Sequence, residues 1–231
     1  MMKITWDQKG TFVSRPNRFL AVVDIQGSHE EVHVHDPGRL KELLYPGNSL
    51  LVRRAFAKER RTKWDLIAAR HGNQWVLVNS SFHRALSEKH LSDPVASPFS
   101  GIIRIQPEVK FGSSRLDFKL ELDTGNSMYL EVKGCTLAID GKALFPDAPT
   151  SRGRRHVEEL VKAKEMGYDA AMLFLVFRRD AECFAPKEDT DPDFARAFYS
   201  ALEKGVEAKV LVFGLNGHEL RYEKEIPVCK D

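Results

Sequence analysis

Two strand-like runs and the turn between them make up RLDFKLELDTGNSMYLEVKGCTL, residues 115–137. Polar and apolar residues alternate in RLDFKLEL and MYLEVKGCTL, which predicts two strands, and TGNS predicts the turn that joins them. Residues two apart on a strand point to the same face, so Glu131 and Lys133 should share one. The turn should bring Asp117 alongside them. Charges among apolar neighbours of this kind need a physical reason.

One reason is a metal site for phosphodiester hydrolysis. Asp117 and Glu131 would supply hard oxygen ligands, which suit Mg²⁺ or Mn²⁺. A bound metal polarises a phosphoryl oxygen and activates water, and the Lys133 ammonium would balance the developing charge. The alternative is an exposed salt bridge between Glu131 and Lys133, with Asp117 in a turn. The acid on the preceding strand and the apolar residues that flank each charge add support to the metal site, and both interpretations remain open.

Residues 1–79 have the signals of a small β-barrel. Five runs alternate with turn residues such as DPG, YPGN and HGNQ. The runs are FVSRPNRFLAVVDI, EEVHVHD, SLLVRRAFA, KWDLIAA and QWVLVN. This number of short strands in so few residues is typical of an OB-like barrel, a fold often used to bind nucleic acid.

Residues 80–231 predict a mixed-sheet domain, so the fold class is α/β (α+β). SSFHRALSEKHL predicts a helix, and three strands should follow it as a meander. The next helix has Thr150 or Ser151 as its cap and Gly167 as its stop. AAMLFLVF is a continuous apolar run, which predicts a strand covered on both faces. A further helix, DPDFARAFYSALEKG, and two strands complete the chain.

Basic residues concentrate in the N-terminal third. Residues 1–72 contain thirteen Lys and Arg against eight Asp and Glu, although the whole chain has a net charge of +2. Residues 53–70 interleave seven basic residues with Phe56 and Trp64, as a surface that faces a polyanion would. The expected nucleic-acid contacts here are Arg53, Arg54, Arg60, Arg61, Lys63 and Trp64. A solvated basic face is the alternative.

Other features of the whole chain set limits on its class. No run of about 18 apolar residues exists and MMKITWDQKGTF lacks the pattern of a secretory signal, so we expect a cytoplasmic protein without membrane contact. Cys135, Cys183 and Cys229 are scattered, which predicts neither a disulfide framework nor a zinc site. His33 and His35 have no acid or Cys at metal spacing and are expected to be ordinary strand residues. Nothing in the sequence supports a homodimer.

Longer stretches of the chain resemble known families. The order helix, strand, strand with Asp, strand with Glu-x-Lys, helix, strand resembles the PD-(D/E)xK nuclease superfamily. HDPGRLKELLYPG (35–47), EVKFGSSRLDF (108–118), YLEVKGCTL (129–137) and ALFPDAPTSRGRRHVEEL (143–160) together resemble the sugar fermentation stimulation protein A family over nearly the whole chain. That resemblance implies an OB-like domain joined to a nuclease-like domain, and DNA as the partner.

The resemblance also implies roles for individual residues. Asp117 and Glu131 match the metal-binding acids and Lys133 the catalytic lysine, and the Val132 carbonyl would be a further ligand. Many superfamily members add an acid from the first helix, where Glu88 occupies a suitable place. An ordinary surface role for Glu88 and a ligand role for Glu108 are the alternatives. Leu116 replaces the proline of the motif, which is not a ligand.

The second helix adds a basic N-terminus. Arg152, Arg154 and Arg155 open it, followed by His156, and they could contact phosphate or form a solvated surface. Asp147, just before this helix, could approach the metal but is more simply a turn or cap residue. Two functions therefore compete: a divalent-metal-dependent nuclease, and a DNA-binding regulator of sugar-utilisation genes that keeps the nuclease fold without hydrolysis.

Overall fold

The computed structural model describes residues 1–56 and 60–230. Within these residues, five strands close into an N-terminal barrel. After a short β1 (Met2–Lys3), they are β2 (Gln8–Asn17), β3 (Leu20–Ile25), β4 (Ser28–His33), β5 (Ser49–Arg54) and β6 (Trp64–His71). Their order is β4-β3-β2-β5-β6, and parallel pairing of β4 with β6 through Val32 and Trp64 closes the barrel. The expected small barrel is confirmed.

The strand assignment within the barrel differs from the prediction at its start. The run FVSRPNRFLAVVDI, read as one strand, contributes to both β2 and β3. The Asn17 Oδ1 atom accepts a hydrogen bond from the Phe19 amide at 2.9 Å, which turns the chain between the two strands. β3 then turns into β4 at Gln26 and Gly27, whose positive φ angles of 56° and 83° give the twist that a tight hairpin needs.

The rest of the chain adds strands and helices in the predicted order. The strands are β7 (Gln74–Leu77), β8 (Ile102–Phe111), β9 (Ser114–Leu122), β10 (Ser127–Cys135), β11 (Leu137–Ile139), β12 (Lys142–Phe145), β13 (Asp169–Val176), β14 (Cys183–Pro186), β15 (Glu207–Asn216) and β16 (Glu219–Glu225). The helices are α1 (His83–Leu91), α2 (Ser151–Glu165) and α3 (Pro192–Glu203), and a 3₁₀ turn (Ser80–Phe82) leads into α1.

The centre of the second domain is a parallel trio of strands, β10-β13-β15. β8, β9 and β10 form the predicted antiparallel meander, and α2 makes the crossover from β10 to β13. Along β13, Leu173 and Leu175 pack into one core while Phe174 and Val176 pack into another on the opposite face. The apolar run is therefore a strand covered on both sides, as predicted, and the domain is a mixed-sheet PD-(D/E)xK-like fold.

Barrel and second domain are joined by strand pairing, which the sequence did not indicate. β7 continues the β6 hairpin and pairs with β15 where Trp75 lies opposite Leu215. β1 pairs with β16 from the other end of the chain. In the part of the chain that the structure describes, thirteen strands thus form one sheet.

A second, small sheet was not predicted and brings two cysteines together. β12 pairs with β11 and with β14. Phe184 of β14 also bridges to Val228, so the C-terminal segment lies beside β14 and Cys183 bonds to Cys229 across 46 residues. The expectation of unpaired cysteines is wrong for these two, because spacing along the chain does not show which segments fold together. Cys135 is buried and, among the described residues, has no disulfide partner.

We expect Phe174→Ala to lower the free energy of unfolding by about 3–5 kcal/mol, because it leaves a cavity in a core filled by rings. Phe174 lies 4.0 Å from Phe184 and 5.9 Å from Phe198, measured between ring centroids, and is fully buried. Urea denaturation followed by circular dichroism measures the change. The exposed Ile103, replaced by Ala, is the control and should shift stability by less than about 0.5 kcal/mol.

Candidate metal centre and nucleic-acid interface

Asp117 and Glu131 lie on adjacent strands at the point where the β9–β10 pairing ends. The last paired residues are Phe118 and Leu130, and the two acids follow immediately beyond them. The Val132 amide donates a hydrogen bond to Asp117 Oδ2 at 2.7 Å, which ties the Asp117 side chain to β10. The structure therefore brings together the two carboxylates that the sequence singled out.

The Glu131 carboxylate is 2% exposed and is held by two basic side chains. Its Oε1 atom contacts Lys133 Nζ and lies 2.5 Å from His156 Nδ1. The Oε2 atom is buried and has no hydrogen-bond partner among the described residues. A buried carboxylate oxygen without a partner is costly, and a bound cation would remove that cost.

His156 is a site residue that the sequence reasoning grouped only with the basic helix start. Thr150 caps α2 by accepting a hydrogen bond from the Gly153 amide at 3.0 Å, and the Thr150 amide donates to Asp191 at 2.6 Å. This anchored first turn places the buried His156 ring against Glu131, with Arg152 Nε 3.4 Å from His156 Nε2. One feature of the sequence could have indicated that His156 is buried: it directly precedes Val157, which lies on the apolar stripe of the helix.

The two carboxylates have pKa values displaced in opposite directions. Burial and the nearby Glu131 charge raise the pKa of Asp117 to about 6, against the opposing effects of Lys133 and the Val132 amide. Burial alone would also raise the pKa of Glu131, but the Lys133 charge and the His156 contact outweigh it and lower that pKa. Glu131 is therefore ionised at neutral pH, while Asp117 ionises near pH 6.

Asp117 and Glu131 could supply oxygen ligands to a hard divalent cation. Across residues 1–56 and 60–230, no group of three His, Cys, Asp or Glu side chains is arranged to hold a metal. Asp117 and Glu131 form a smaller set, and a ligand role for the Val132 carbonyl stays a prediction. Mg²⁺ is commonly bound in this way, by one or two carboxylates together with waters and substrate phosphates.

The suggested third acids lie in a surface network. Glu88 Oε1 accepts from Arg84 Nε at 3.1 Å, and Arg84 also pairs with Glu108 at 2.8 Å. Within the described residues, neither glutamate has a recorded contact with Asp117 or Glu131, so a ligand role for Glu88 stays a prediction. Arg84 itself is close enough to Asp117 for the two charges to interact.

On the barrel, a buried aspartate forms ion pairs with two of the arginines that were predicted to contact nucleic acid. Asp65, 4% exposed, lies 2.7 Å from Arg60, 3.7 Å from Arg53 and 3.1 Å from His35. Burial opposes ionisation, but the hydrogen bonds from His35 and Arg60 keep the pKa of Asp65 well below its usual range. Arg53 and Arg60 therefore belong to an internal ion-pair cluster, which lowers their availability to phosphate.

The aromatic contact predicted at Trp64 is wrong. The Trp64 ring is 6% exposed and faces the barrel core, with the Arg54 guanidinium 5.0 Å from its centroid. Phe56, two residues after Arg54, is 88% exposed. Arg61 and Lys63 are also exposed, and Arg61 pairs with Glu31 at 3.3 Å. Positions 57–59, including Lys58, lie outside the described residues.

The arginines of α2 divide between two sides of the helix. Arg152 and Arg155 are exposed, and Arg152 lies on the side of His156, one helical turn before it. Arg154, two residues before His156 and hence on nearly the opposite side, pairs with Asp193 of α3 at 2.9 Å. The pair with Asp193 competes with phosphate for the Arg154 guanidinium, whose side chain is 40% exposed, so nucleic-acid contact by Arg154 stays a prediction.

The segment 80–83, here called the bridging turn, connects the barrel cluster with the metal site. Ser80 Oγ donates to the His35 carbonyl at 2.8 Å, and the Arg53 guanidinium lies 5.5 Å from the Phe82 ring centroid. The His83 ring fills the space where a Cβ of Gly134 would stand, next to Lys133. Burial lowers the pKa of His83 to about 4, so this ring packs as a neutral group.

Asp147 makes a second connection between the two domains. Its Oδ2 atom accepts a hydrogen bond from the Leu40 amide of the barrel at 3.0 Å, and its carboxylate occupies the space beside Gly38. Asp147 therefore holds the HDPGRL loop by a contact between residues 107 apart in sequence, a role that neither the metal nor the turn interpretation predicted.

The chain combines a closed OB-type barrel with a mixed sheet in which two adjacent strands carry Asp117 and Glu131-x-Lys133. These features define an OB-fold protein with a PD-(D/E)xK nuclease-like domain. The family comparisons agree with this class. The model of the SfsA N-terminal OB domain matches residues 13–78. The model of the sugar fermentation stimulation protein RE domain matches residues 79–219.

The chain belongs to the sugar fermentation stimulation protein family. The homolog from Methanococcoides burtonii is 48% identical, over 100% of this chain and 96% of that protein. The homolog from Thermotoga neapolitana is 39% identical, over 100% and 99%. The structure of Pyrococcus furiosus SfsA in complex with Ca²⁺ superimposes with a TM-score of 0.86 at 27% identity and covers 100% of both chains. In the described part of this chain, no helix is long and apolar enough to span a membrane.

We expect Asp117→Asn to stabilise the metal-free protein at pH 8 by about 1–3 kcal/mol. The folded-state pKa of Asp117, about 6, is above the unfolded value, so its stabilising contribution is complete below about pH 4 and is lost as pH rises through 6. Asn keeps the acceptor for the Val132 amide but does not titrate. Urea denaturation in EDTA at pH 4 and pH 8 measures the difference.

The variant and the native protein should have nearly equal stability at pH 4. Added Mg²⁺ should then stabilise the native protein and leave Asp117→Asn unaffected. The exposed Asp189, replaced by Asn, is the matched control. If Asp117→Asn raises the free energy of unfolding at pH 8 by no more than Asp189→Asn does, the raised pKa of Asp117 is contradicted.

Proposed function

We propose that this protein is a divalent-metal-dependent nuclease that acts on DNA, with the barrel and the bridging turn as its binding surface. The observation that carries the proposal is the pairing of Asp117 with a buried Glu131 whose Oε2 atom has no partner, beside Lys133. The related Pyrococcus furiosus structure, which contains Ca²⁺, supports a site for hard cations in this fold.

Asp117, Glu131 and the Val132 carbonyl would hold Mg²⁺ or Mn²⁺. Such an ion, when bound, polarises the phosphate and lowers the pKa of water. Lys133 holds Glu131 in position and places a positive charge where charge develops on the phosphate. His156 fixes the Glu131 carboxylate from the helix side, and Arg152 presents a further cation one helical turn away. Arg84, near Asp117, flanks the site from α1.

The basic groups are arranged so that one nucleic-acid strand could contact both the barrel and the metal site. Arg53 reaches the bridging turn, and the bridging turn packs against Gly134 beside Lys133. The exposed Arg61, Lys63 and Phe56 extend this surface over the barrel. Phosphate contacts position a nucleic acid and exposed aromatic side chains can stack on its bases.

Cleavage of labelled single-stranded DNA, duplex DNA and RNA in Mg²⁺, Mn²⁺ or EDTA tests the catalytic proposal. We expect cleavage of DNA that EDTA abolishes and that falls at least about a hundredfold in Asp117→Asn and Lys133→Met, because each removes a charge at the reacting phosphate. Lys142→Met, an exposed lysine on β12, is the matched control and should cleave normally. Binding without cleavage of any substrate would favour the non-catalytic regulator instead.

The barrel surface has its own prediction. Arg61→Glu and Lys63→Glu should weaken binding of single-stranded DNA and reduce the slope of log K against log salt by roughly one for each contacted phosphate lost. Fluorescence anisotropy between about 50 and 200 mM salt measures both quantities. Lys224→Glu on β16 is the control of equal charge change. If all three variants bind with the native salt slope, the DNA surface lies elsewhere.

A further inference from the structure

A cavity of about 490 Å³ lies between the β8–β9 turn and the C-terminal half of α2. It is next to the metal site. Tyr129, in its wall, stands two residues from Glu131 on β10, and Glu159 stands three residues from His156 on α2. Two residues of strand cover about 7 Å and three residues of helix about 4.5 Å. These two distances between the cavity and the metal site are similar to the spacing of neighbouring nucleotides along a nucleic-acid strand.

The wall of this cavity is aromatic. The centroids of Phe111 and Tyr129 lie 4.5 Å apart, and the Tyr168 ring meets Tyr129 edge-on at 5.2 Å. Tyr129 is buried, whereas Phe111 and Tyr168 are partly exposed and open to the cavity. The three rings therefore form a supported apolar surface on which a flat group can stack.

A buried carboxylate lies beside the aromatic wall. Glu159 is 2% exposed, and its Oε1 atom accepts from Ser113 Oγ at 3.1 Å and Lys162 Nζ at 3.2 Å. Oε2 is buried against Gly112 and has no hydrogen-bond partner among the described residues. Lys162 is mostly exposed, so its pair with Glu159 is weak and a ligand that donates N–H can replace it.

We propose that this cavity takes a single unstacked nucleobase that carries an amino group, one nucleotide from the phosphate at the proposed metal site. The proposal rests on the proposed function, because the base belongs to the strand bound there. The base stacks on Phe111 and Tyr168, Glu159 accepts its amino hydrogen, and Lys110 with Lys162 at the rim meets the flanking phosphates.

The combination of groups favours a base over other ligands. A cavity of this volume holds a nucleoside-sized group. A carboxylate beside an aromatic wall can accept a hydrogen bond from a planar group that stacks on the wall. Acidic side chains accept from the amino group of cytosine in this way. The rim lysines complement phosphate but would repel a simple cation. A nucleotide satisfies all of these groups together.

The test compares three fluorescein-labelled 12-mers in Ca²⁺ by anisotropy: oligo(dC), oligo(dT) and a fully abasic strand of the same length. Because all three carry the same phosphates, their differences report on the bases. We expect the native protein to bind oligo(dC) about tenfold more tightly than the abasic strand, and about fivefold more tightly than oligo(dT), which has no amino group.

Variants locate the effect in the cavity. Phe111→Leu and Tyr168→Leu should weaken binding of oligo(dC) about tenfold and leave the abasic strand unaffected. Glu159→Gln should remove most of the preference for oligo(dC) over oligo(dT). Tyr222→Leu, an exposed tyrosine on β16, is the matched control. The urea midpoint of each variant is measured in parallel, and the comparison of strands on native protein does not depend on any variant folding.

The outcomes separate this proposal from the proposed function. Equal affinity of the native protein for oligo(dC) and the abasic strand would overturn the base pocket even if DNA is cleaved. Equal affinity for oligo(dC) and oligo(dT) would overturn the role of Glu159. Preference for bases without any cleavage in Mg²⁺ would support the pocket and remove the nuclease assignment. If no strand binds, both fail.

Discussion

The burial of the Glu131 carboxylate is the constraint on which the site depends. An ionised carboxylate out of water is tolerated only with opposite charge and hydrogen bonds around it. Lys133 supplies a positive charge from the same strand, and His156 supplies a hydrogen-bond partner from α2. The position of α2 against β10 is therefore fixed by electrostatics as well as by the apolar packing of Val157 and Leu160.

That arrangement explains why the start of α2 is anchored so firmly. Asp191 accepts hydrogen bonds from the Thr150 amide and from the Phe194 amide, so one carboxylate serves the first turns of both α2 and α3. A shift of the first turn of α2 would withdraw His156 and leave Glu131 with one partner. The ionised state of Glu131 thus depends on the capping of α2 at Thr150 and on the contact between α2 and α3, because both hold His156 in place.

The sequence predicted the features that depend on local patterns. Alternation placed Asp117 and Glu131 on neighbouring strands, and the continuous apolar run marked the doubly covered β13. It failed where the outcome depends on segments distant in sequence. Trp64 was assigned to the surface because its basic neighbours suggested one, although strand pairing turns its ring inward. The Cys183–Cys229 bond, the contact of Arg154 with α3 and the position of His156 against Glu131 all require knowledge of which elements pack together.

The pairing of β7 with β15 has a consequence for how a bound strand would be recognised. A single hydrogen-bonded sheet connects the barrel to the strands that carry Asp117 and Glu131, so the separation of the two surfaces is set by the backbone. A nucleic acid that touches both must adopt the shape which that separation imposes. The energy needed to bend or unstack it depends on its sequence. Under the proposed function, selectivity among DNA sequences would then arise at bases that the protein never contacts.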